Sequence, residues 1–222
     1  MNLAMDIVIN SLNIKVIDMQ KFFILMLFLQ FQILASESDI ILSKDVFNSA
    51  PFSSEFMEDG ALIRNINYKS VKALVKQVEA VRGIKLIDRG EAHITVITPP
   101  EAQGWFHPSR KGINFLISYK ELHLKYAKII QQTKFSVVCI GEAIEGDKHV
   151  FFLVVDSPAL REIRSEIATE LEARSKFSGL MTHFDPNLYD PHITIGYIGG
   201  DVFSKPKDLT SCSKDLKLVI KK

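Results

Sequence analysis

The sequence predicts an α+β fold, and three observations support that class. Segments with apolar residues at helical spacing alternate with short runs rich in valine and isoleucine, several of them bounded by glycine or proline. Short turns between neighbouring runs favour hairpins, and hairpins imply antiparallel or mixed sheets. The tripeptide His-Ile-Thr occurs at 93–95 and again at 192–194, each time inside an apolar run. This matched pair suggests a duplicated layout of two similar lobes.

The amino terminus has the pattern of an export signal. Phe22–Leu29 is an uninterrupted apolar run that follows Lys15 and Lys21, and the small residue Ala35 stands before a polar stretch. This arrangement is typical of a secretory signal peptide, so we predict one over residues 1–35 and a secreted, periplasmic or lumenal protein. The alternatives are an uncleaved membrane anchor and an additional helix on a cytoplasmic domain. The run is short for a membrane span, and we expect no stable one.

Two regions follow this segment. Residues 36–60 mix serine, proline and glycine with isolated apolar residues, and we predict an irregular arm there. Residues 61–222 contain all the segments with clear periodicity. They form the predicted domain.

The elements of the domain follow from periodicity and stop signals. One helix begins near Ser70 and ends at Gly83, where a left-handed residue favours glycine. Another begins at Ser157-Pro158, a capping residue followed by proline in the first turn. Their apolar stripes are expected to face the core: Val71, Leu74, Val75, Val78 and Val81 in the first, and Leu160, Ile163, Ile167 and Leu171 in the second. We also predict a strand at 84–87, a loop at 101–112, a helix at 118–131, strands at 135–143 and 149–155 joined by a hairpin turn at 145–147, and a last strand at 216–220.

Both His-Ile-Thr copies are predicted to lie on strands with one polar and one apolar face. Side chains alternate between the two faces of a strand, so His93 and Thr95 share one face while Ile94 packs in the core. His192 and Thr194 are related in the same way. If both strands border one cleft, two imidazoles and two hydroxyls surround one substrate.

Charge and cysteine content exclude several kinds of partner and site. The 222 residues carry a formal net charge of +1, whereas a long nucleic-acid footprint needs a strongly basic face. An RNA end or a small cyclic nucleotide remains suitable as a partner, and we expect a monomer. Cys139 lies in an apolar run and is predicted to act as a small buried apolar residue, since a disulfide with Cys212 requires export. No zinc-binding motif is present, so we expect no metal site.

Paired histidines suit the cleavage of a phosphodiester. A neutral imidazole takes the proton of an attacking water or hydroxyl, and a protonated imidazole gives a proton to the leaving oxygen. Threonine hydroxyls can donate hydrogen bonds to the non-bridging phosphate oxygens. This chemistry requires no cofactor. It makes His93 and His192 the candidate catalytic residues and Thr95 and Thr194 the candidate phosphate-binding residues, without distinguishing acid from base.

This pattern of His, apolar residue, Thr and apolar residue, present twice and roughly a hundred residues apart, resembles the 2H phosphoesterase superfamily. The stretch Tyr189–Tyr197 (YDPHITIGY), followed by Gly200-Asp201-Val202, looks most like the 2H domain of the Swiss-army-knife RNA-repair proteins. The resemblance covers roughly residues 60–222. It implies two pseudo-symmetric α+β lobes around a cleft, an acid–base pair of histidines with two phosphate-binding threonines, and RNA-derived or cyclic-nucleotide substrates.

Further side chains near the two motifs are weaker candidates for substrate binding. In the loop after the first motif, Trp105 and Phe106 are suited to stacking on a base, and Arg110 and Lys111 to meeting a second phosphate. Local packing of the loop is the alternative explanation for the aromatic residues. His183 precedes the second motif and is a candidate for its rim, with solvent exposure as the alternative. Tyr197 follows His192 by an odd number of positions, so it faces the core unless Gly196 breaks the regular strand.

Three functions are compatible with these residues. The leading hypothesis is a metal-independent phosphodiesterase that opens a 2′,3′-cyclic phosphate or a related RNA or nucleotide phosphodiester. The alternative is a non-catalytic module that binds a nucleotide or an RNA end. A third hypothesis is a secreted structural or interaction protein in which the two triplets coincide by chance. It predicts that His93 and His192 face different parts of the surface.

Overall fold

Helices and mainly antiparallel strands alternate along the chain, which confirms the α+β class. The computed structural model describes residues 38–48, 50, 61–103, 119–178 and 184–221, and these described residues belong to one compact unit. The strands of the described part are β1 (Ser38–Ser43), β2 (Leu62–Asn65), β3 (His93–Ile97), β4 (Ser136–Glu145), β5 (Lys148–Asp156), β6 (His192–Ile198) and β7 (Leu216–Lys221). The α-helices there are α1 (Tyr68–Arg82), α2 (Pro99–Gln103), α3 (Tyr119–Gln132) and α4 (Pro158–Ser178), and 3₁₀ helices span Lys44–Phe47 and Leu209–Ser211.

The strands pair in three small sheets. β4, β5 and β6 form an antiparallel sheet in that order, β2 pairs antiparallel with β3, and β1 pairs parallel with β7. The β4–β5 hairpin turns at Gly146, whose φ of 62° is the left-handed conformation that glycine favours. The predicted hairpin is therefore confirmed. The arrangement into two pseudo-symmetric lobes stays a prediction.

The helices follow the stop signals of the sequence closely. The side chain of Asn67 caps α1 by accepting from the Lys69 amide, and Gly83 ends the helix with a φ of 64°. At the start of α4, Ser157 Oγ donates to the Lys134 carbonyl and accepts from the Leu160 amide. The predicted core residues of both helices are buried, except Val81, which is 41% exposed. That part of the prediction is wrong: Val81 lies in the last turn of the helix and faces away from the core.

Alternate residues of β5 and β6 pack on opposite sides of their sheet. Phe151, Leu153 and Ile193 belong to the main hydrophobic core beneath the helices. Phe152 and Val154 belong to a second cluster with Ala143, Val150 and Val202. This second cluster lies on the face of β5 that carries the partners of His192 and Thr194.

Two segments differ from their predictions. Within residues 36–60, predicted as an irregular arm, Ser38–Ser43 form β1, whose Ile40 and Leu42 are fully buried. The partner of β1 is β7, at the other end of the chain, and no local pattern indicates such a long-range pair. The predicted strand at 84–87 is reduced to one bridge, between Ile87 and Tyr197. The limits of the predicted signal peptide and arm fall outside the described residues and stay predictions.

Cys139 and Cys212 form a disulfide, with their Cα atoms 5.8 Å apart. The prediction of a free, buried Cys139 is therefore wrong. Cys139 lies on β4, and Cys212 immediately follows the 3₁₀ helix Leu209–Ser211. The bond fastens the segment after β6 to the sheet. Across the described residues, no helix is long and apolar enough to cross a membrane.

Candidate active site

β3 and β6 present their histidines and threonines to the same cavity, which has a volume of about 670 Å³. On both strands the residues between and after them, Ile94, Val96, Ile193 and Ile195, are buried. The predicted alternation is thus confirmed. The hydrophobic side of each strand fixes the polar side toward the cavity. Other lining residues are Arg89, Glu101, Arg164, Tyr189, Asp190, Asp201, Phe203, Lys205 and Lys207.

A carboxylate fixes the orientation of His93. The Nδ1 atom of its ring lies 2.6 Å from Oε2 of Glu91. Burial raises the pKa of Glu91, but the hydrogen bond and charge of His93, with Arg89 nearby, hold that pKa below its ordinary value. An ionised carboxylate only accepts, so Nδ1 carries the proton. The bond holds the ring in one orientation and leaves Nε2 as the nitrogen available to a substrate.

His192 has a different environment. Its Nδ1 donates to the carbonyl of Asp190 at 2.7 Å, and its ring makes an edge contact with Phe152, at 5.7 Å between centroids. Burial first and the charge of Lys207 second lower the pKa of His192 to about 3, against the opposing hydrogen bond to Asp190. The imidazole is therefore neutral at ordinary pH, with a lone pair on Nε2. This is the form that a general base needs.

A buried ion cluster lies beside His192. Nζ of Lys207 is 3.2 Å from Nε2 of His192 and 3.0 Å from Oδ1 of Asp201. Arg89 is a second ion-pair partner of Asp201. The amide of Lys207 also donates to the Asp190 carboxylate at 3.1 Å. Burial lowers the pKa of Lys207, and Asp201 opposes that effect.

The hydroxyls of Thr95 and Thr194 have no hydrogen-bond partner among the residues that the structure describes. Both side chains are partly exposed, and both line the cavity together with the histidines. A hydroxyl without a protein partner is available to donate to a ligand oxygen. Thr95 and Thr194 are therefore placed as the prediction of phosphate-binding residues requires.

A buried arginine, Arg164, also lines the cavity and connects several of its segments. Arg164 of α4 is 1% exposed and donates to the Val96 carbonyl at 2.6 Å and to Glu101 at 2.7 Å. It also donates to the carbonyls of Asp185, Pro186 and Leu188 in the loop before β6. One guanidinium thus joins β3, α2 and this loop. Glu101 in addition accepts from the amide and hydroxyl of Thr98, and its own amide donates to that hydroxyl, a capping box that starts α2 at Pro99. The predicted loop 101–112 is therefore wrong at 101–103, because this box extends a helix there, and its remainder lies outside the described residues.

The weaker candidates have mixed outcomes. Tyr197 packs against the second cluster of Phe152 and Val202 and does not contribute to the described lining of the cavity. A bulge in β6 explains its position: Phe151 pairs with Gly196 but Phe152 with Thr194, so one extra residue shifts the alternation. Trp105, Phe106, Arg110, Lys111 and His183 lie outside the described residues.

Sequence reasoning missed Lys207, Arg89 and Arg164. Lys207 lies 15 positions beyond His192 in a segment without regular structure, so no periodicity marks it. Arg164 stands between the apolar positions of α4, where a charged residue normally faces solvent. Within the described residues, no group of three or more His, Cys, Asp and Glu side chains is arranged to hold a metal ion.

Comparison with known proteins identifies the family of the chain. The family model of the Swiss Army Knife, 2H phosphoesterase domain matches residues 62–203, a span that contains both motifs, Arg164 and Asp201. A search among curated proteins and a search among solved structures each found no match. The matched span covers more than half of the chain and includes β2 to β6. The chain therefore belongs to the Swiss Army Knife branch of the 2H phosphoesterases.

Proposed function

We propose that this protein is a metal-independent phosphodiesterase that opens a 2′,3′-cyclic phosphate or a related phosphodiester of RNA or a nucleotide. The main support is that His93, His192, Thr95 and Thr194 line one cavity, and that the hydroxyls of Thr95 and Thr194 have no partner within the described part of the chain. The third hypothesis, in which the triplets coincide by chance, predicts histidines that face different parts of the surface. The family supports phosphoester chemistry in general, and the cyclic substrate is our proposal.

In the proposed reaction, one imidazole accepts a proton and the other imidazole donates one. Water attacks the phosphorus while one histidine takes its proton, and the bond from phosphorus to a ribose oxygen breaks while the other histidine gives that oxygen a proton. Thr95 and Thr194 donate to the non-bridging oxygens, where negative charge increases. The product is a 2′- or 3′-phosphomonoester. Because the net result moves one proton between the histidines, the pair is ready for the next turnover after exchange with solvent.

We further propose that the substrate is an RNA end or a small cyclic nucleotide. The cavity of about 670 Å³ falls within the size range of small-molecule sites. The formal net charge of +1 does not supply the basic surface that a long nucleic acid needs. We also propose that the protein is a monomer whose two lobes flank the cavity.

We propose that the protein works outside the cytoplasm. The disulfide between Cys139 and Cys212 supports this location, since such bonds persist mainly in oxidising compartments. The signal-peptide pattern of residues 1–35 is an independent argument from the sequence.

Hydrolysis of an oligoribonucleotide that ends in a 2′,3′-cyclic phosphate tests the proposed activity. We expect the purified full chain to produce a phosphomonoester in the presence of EDTA. His93→Gln and His192→Gln should each lose activity by about 10²- to 10⁴-fold, the usual contribution of a general acid or base. His149→Gln is the matched control, because His149 pairs with Glu142 on β4, outside the described lining of the cavity.

Two other outcomes would change the assignment. Full activity in both cavity variants would refute the two-histidine mechanism. Saturable binding of the cyclic-phosphate end without any product would favour the alternative, a non-catalytic module that binds nucleotides or RNA ends.

A further inference from the structure

Lys207 is a buried cation that shares its counter-ion with a second cation. Its side chain is 5% exposed, and its ammonium lies 5.6 Å from the ring centroids of both Phe152 and Phe203. Asp201 is its ion-pair partner, but Asp201 also pairs with Arg89. Asp201 is therefore shared between two cations; Glu91 also lies near Arg89, but among the described residues no second carboxylate forms an ion pair with Lys207. Burying a charge is costly unless it is fully paired, so this site favours the arrival of an additional anion.

The second partner of the Lys207 ammonium is the nitrogen that catalysis needs. Nδ1 of His192 donates to the Asp190 carbonyl, so Nε2 has the lone pair and accepts from Nζ of Lys207 at 3.2 Å. While this hydrogen bond exists, Nε2 cannot take a proton from water. A working base requires that Lys207 find another acceptor.

We propose that Lys207 is a phosphate-binding and positioning residue that occupies Nε2 of His192 in the free protein and releases it when a phosphodiester enters the cavity. A non-bridging phosphate oxygen carries negative charge, and it accepts a stronger hydrogen bond from an ammonium than a neutral imidazole does. Lys207 keeps its bond to Asp201 and transfers the other from His192 to the phosphate. The catalytic role of this exchange rests on the proposed function, but the exchange of hydrogen bonds itself does not require turnover.

The exchange assigns the roles of the two histidines. His192, released by Lys207, is the base that takes the proton of the attacking water as the new bond to phosphorus forms. His93, held by Glu91, is the acid that gives its proton to the leaving ribose oxygen as the old bond breaks. Lys207 transfers no proton. Its ammonium stays on the phosphate, where negative charge builds.

The charged groups around His192 agree with this assignment. Lys207 and Asp201 come from the segment after β6, and Arg89 precedes β3. Asp190, just before β6, contributes its carbonyl as the acceptor for Nδ1. From β5 the ring meets the uncharged Phe152. Other ionisable groups that line the cavity are His93, Glu101, Arg164, Tyr189 and Lys205.

Nitrogen NMR of the histidine side chains in the full chain tests this proposal, with inorganic phosphate as the probe. The His192 signals are those missing from His192→Gln. In the wild type we expect phosphate to shift the Nε2 resonance and to raise the pH at which His192 takes up a proton. In Lys207→Met that pH should already be higher without phosphate. The Lys207→Met variant should bind phosphate about tenfold more weakly than the wild type, which is the factor expected for one lost charge-assisted hydrogen bond.

Lys207→Arg is the matched control, because it keeps the positive charge and should keep most of the phosphate affinity. Unchanged phosphate affinity and an unchanged titration of His192 in Lys207→Met would overturn the proposal. If Lys207→Met does not fold, the wild type alone decides, since a His192 resonance that does not respond to saturating phosphate contradicts the exchange. None of these measurements requires hydrolysis, so their failure is distinguishable from a failure of the proposed activity.

Discussion

His192 makes the free energy of unfolding depend on pH. In the folded protein, burial and then the charge of Lys207 lower its pKa to about 3, whereas an unfolded histidine has a pKa of about 6.5. Between these values the unfolded chain binds a proton that the folded chain does not. Stability is therefore fully present above about pH 6.5 and is lost as the pH falls toward 3.

The size of the effect follows from the difference between the two pKa values. One pKa unit corresponds to about 1.36 kcal/mol, so between pH 7 and pH 5 this single residue should remove about 2 kcal/mol. Most carboxylates remain ionised over that interval and contribute little. Changes in the free energy of unfolding between pH 7 and pH 5 therefore come mainly from histidine residues.

Urea unfolding at pH 7 and pH 5 measures this loss, with His192→Gln as the matched variant. Other titrating groups are common to both proteins, so they cancel in the difference. The variant should lose about 2 kcal/mol less than the wild type between the two pH values. Equal losses in the two proteins would refute the argument that His192 is held neutral.

Two further predictions concern the scaffold of the site. Removing the disulfide with Cys139→Ser and Cys212→Ser should cost about 4 kcal/mol of unfolding free energy, because the bond closes a loop of 73 residues; a urea midpoint equal to that of the wild type would contradict this. Arg164→Met should cost about 3–5 kcal/mol by leaving Glu101 without its buried ion-pair partner and several carbonyls without their donor. Arg161→Met should cost much less, because this exposed side chain makes one hydrogen bond, to the Tyr189 carbonyl, and a ring contact with Tyr189. Equal costs in the two arginine variants would show that Arg164 does not connect the segments of the cavity.

The sequence predicts the parts of the fold that local rules determine. Alternation places Thr95 and Thr194 beside their histidines because a two-residue period leaves no other arrangement on a strand. Gly83 locates the end of α1 because glycine adopts the left-handed conformation without a steric penalty, and Pro158 locates the start of α4 because proline fixes φ at a helical value. The main features of the candidate site thus follow from short stretches of chain.

The remaining features depend on contacts between distant segments. β1 pairs with β7, and Cys139 with Cys212, although their own neighbourhoods do not indicate a partner. Lys207 reaches His192 only because the segment after β6 folds back over the sheet. Even the position of Tyr197 depends on a bulge, which is a property of two paired strands and not of one.

The central claim is that His93 and His192 act together on one phosphodiester. A double-mutant cycle on the hydrolysis of a 2′,3′-cyclic phosphate end, at saturating substrate and with EDTA present, tests it most directly. If the histidines act as one unit, the variant with both residues changed to Gln should be about as slow as the slower single variant. Losses that multiply in the double variant, or a single variant that retains wild-type activity, would contradict the account.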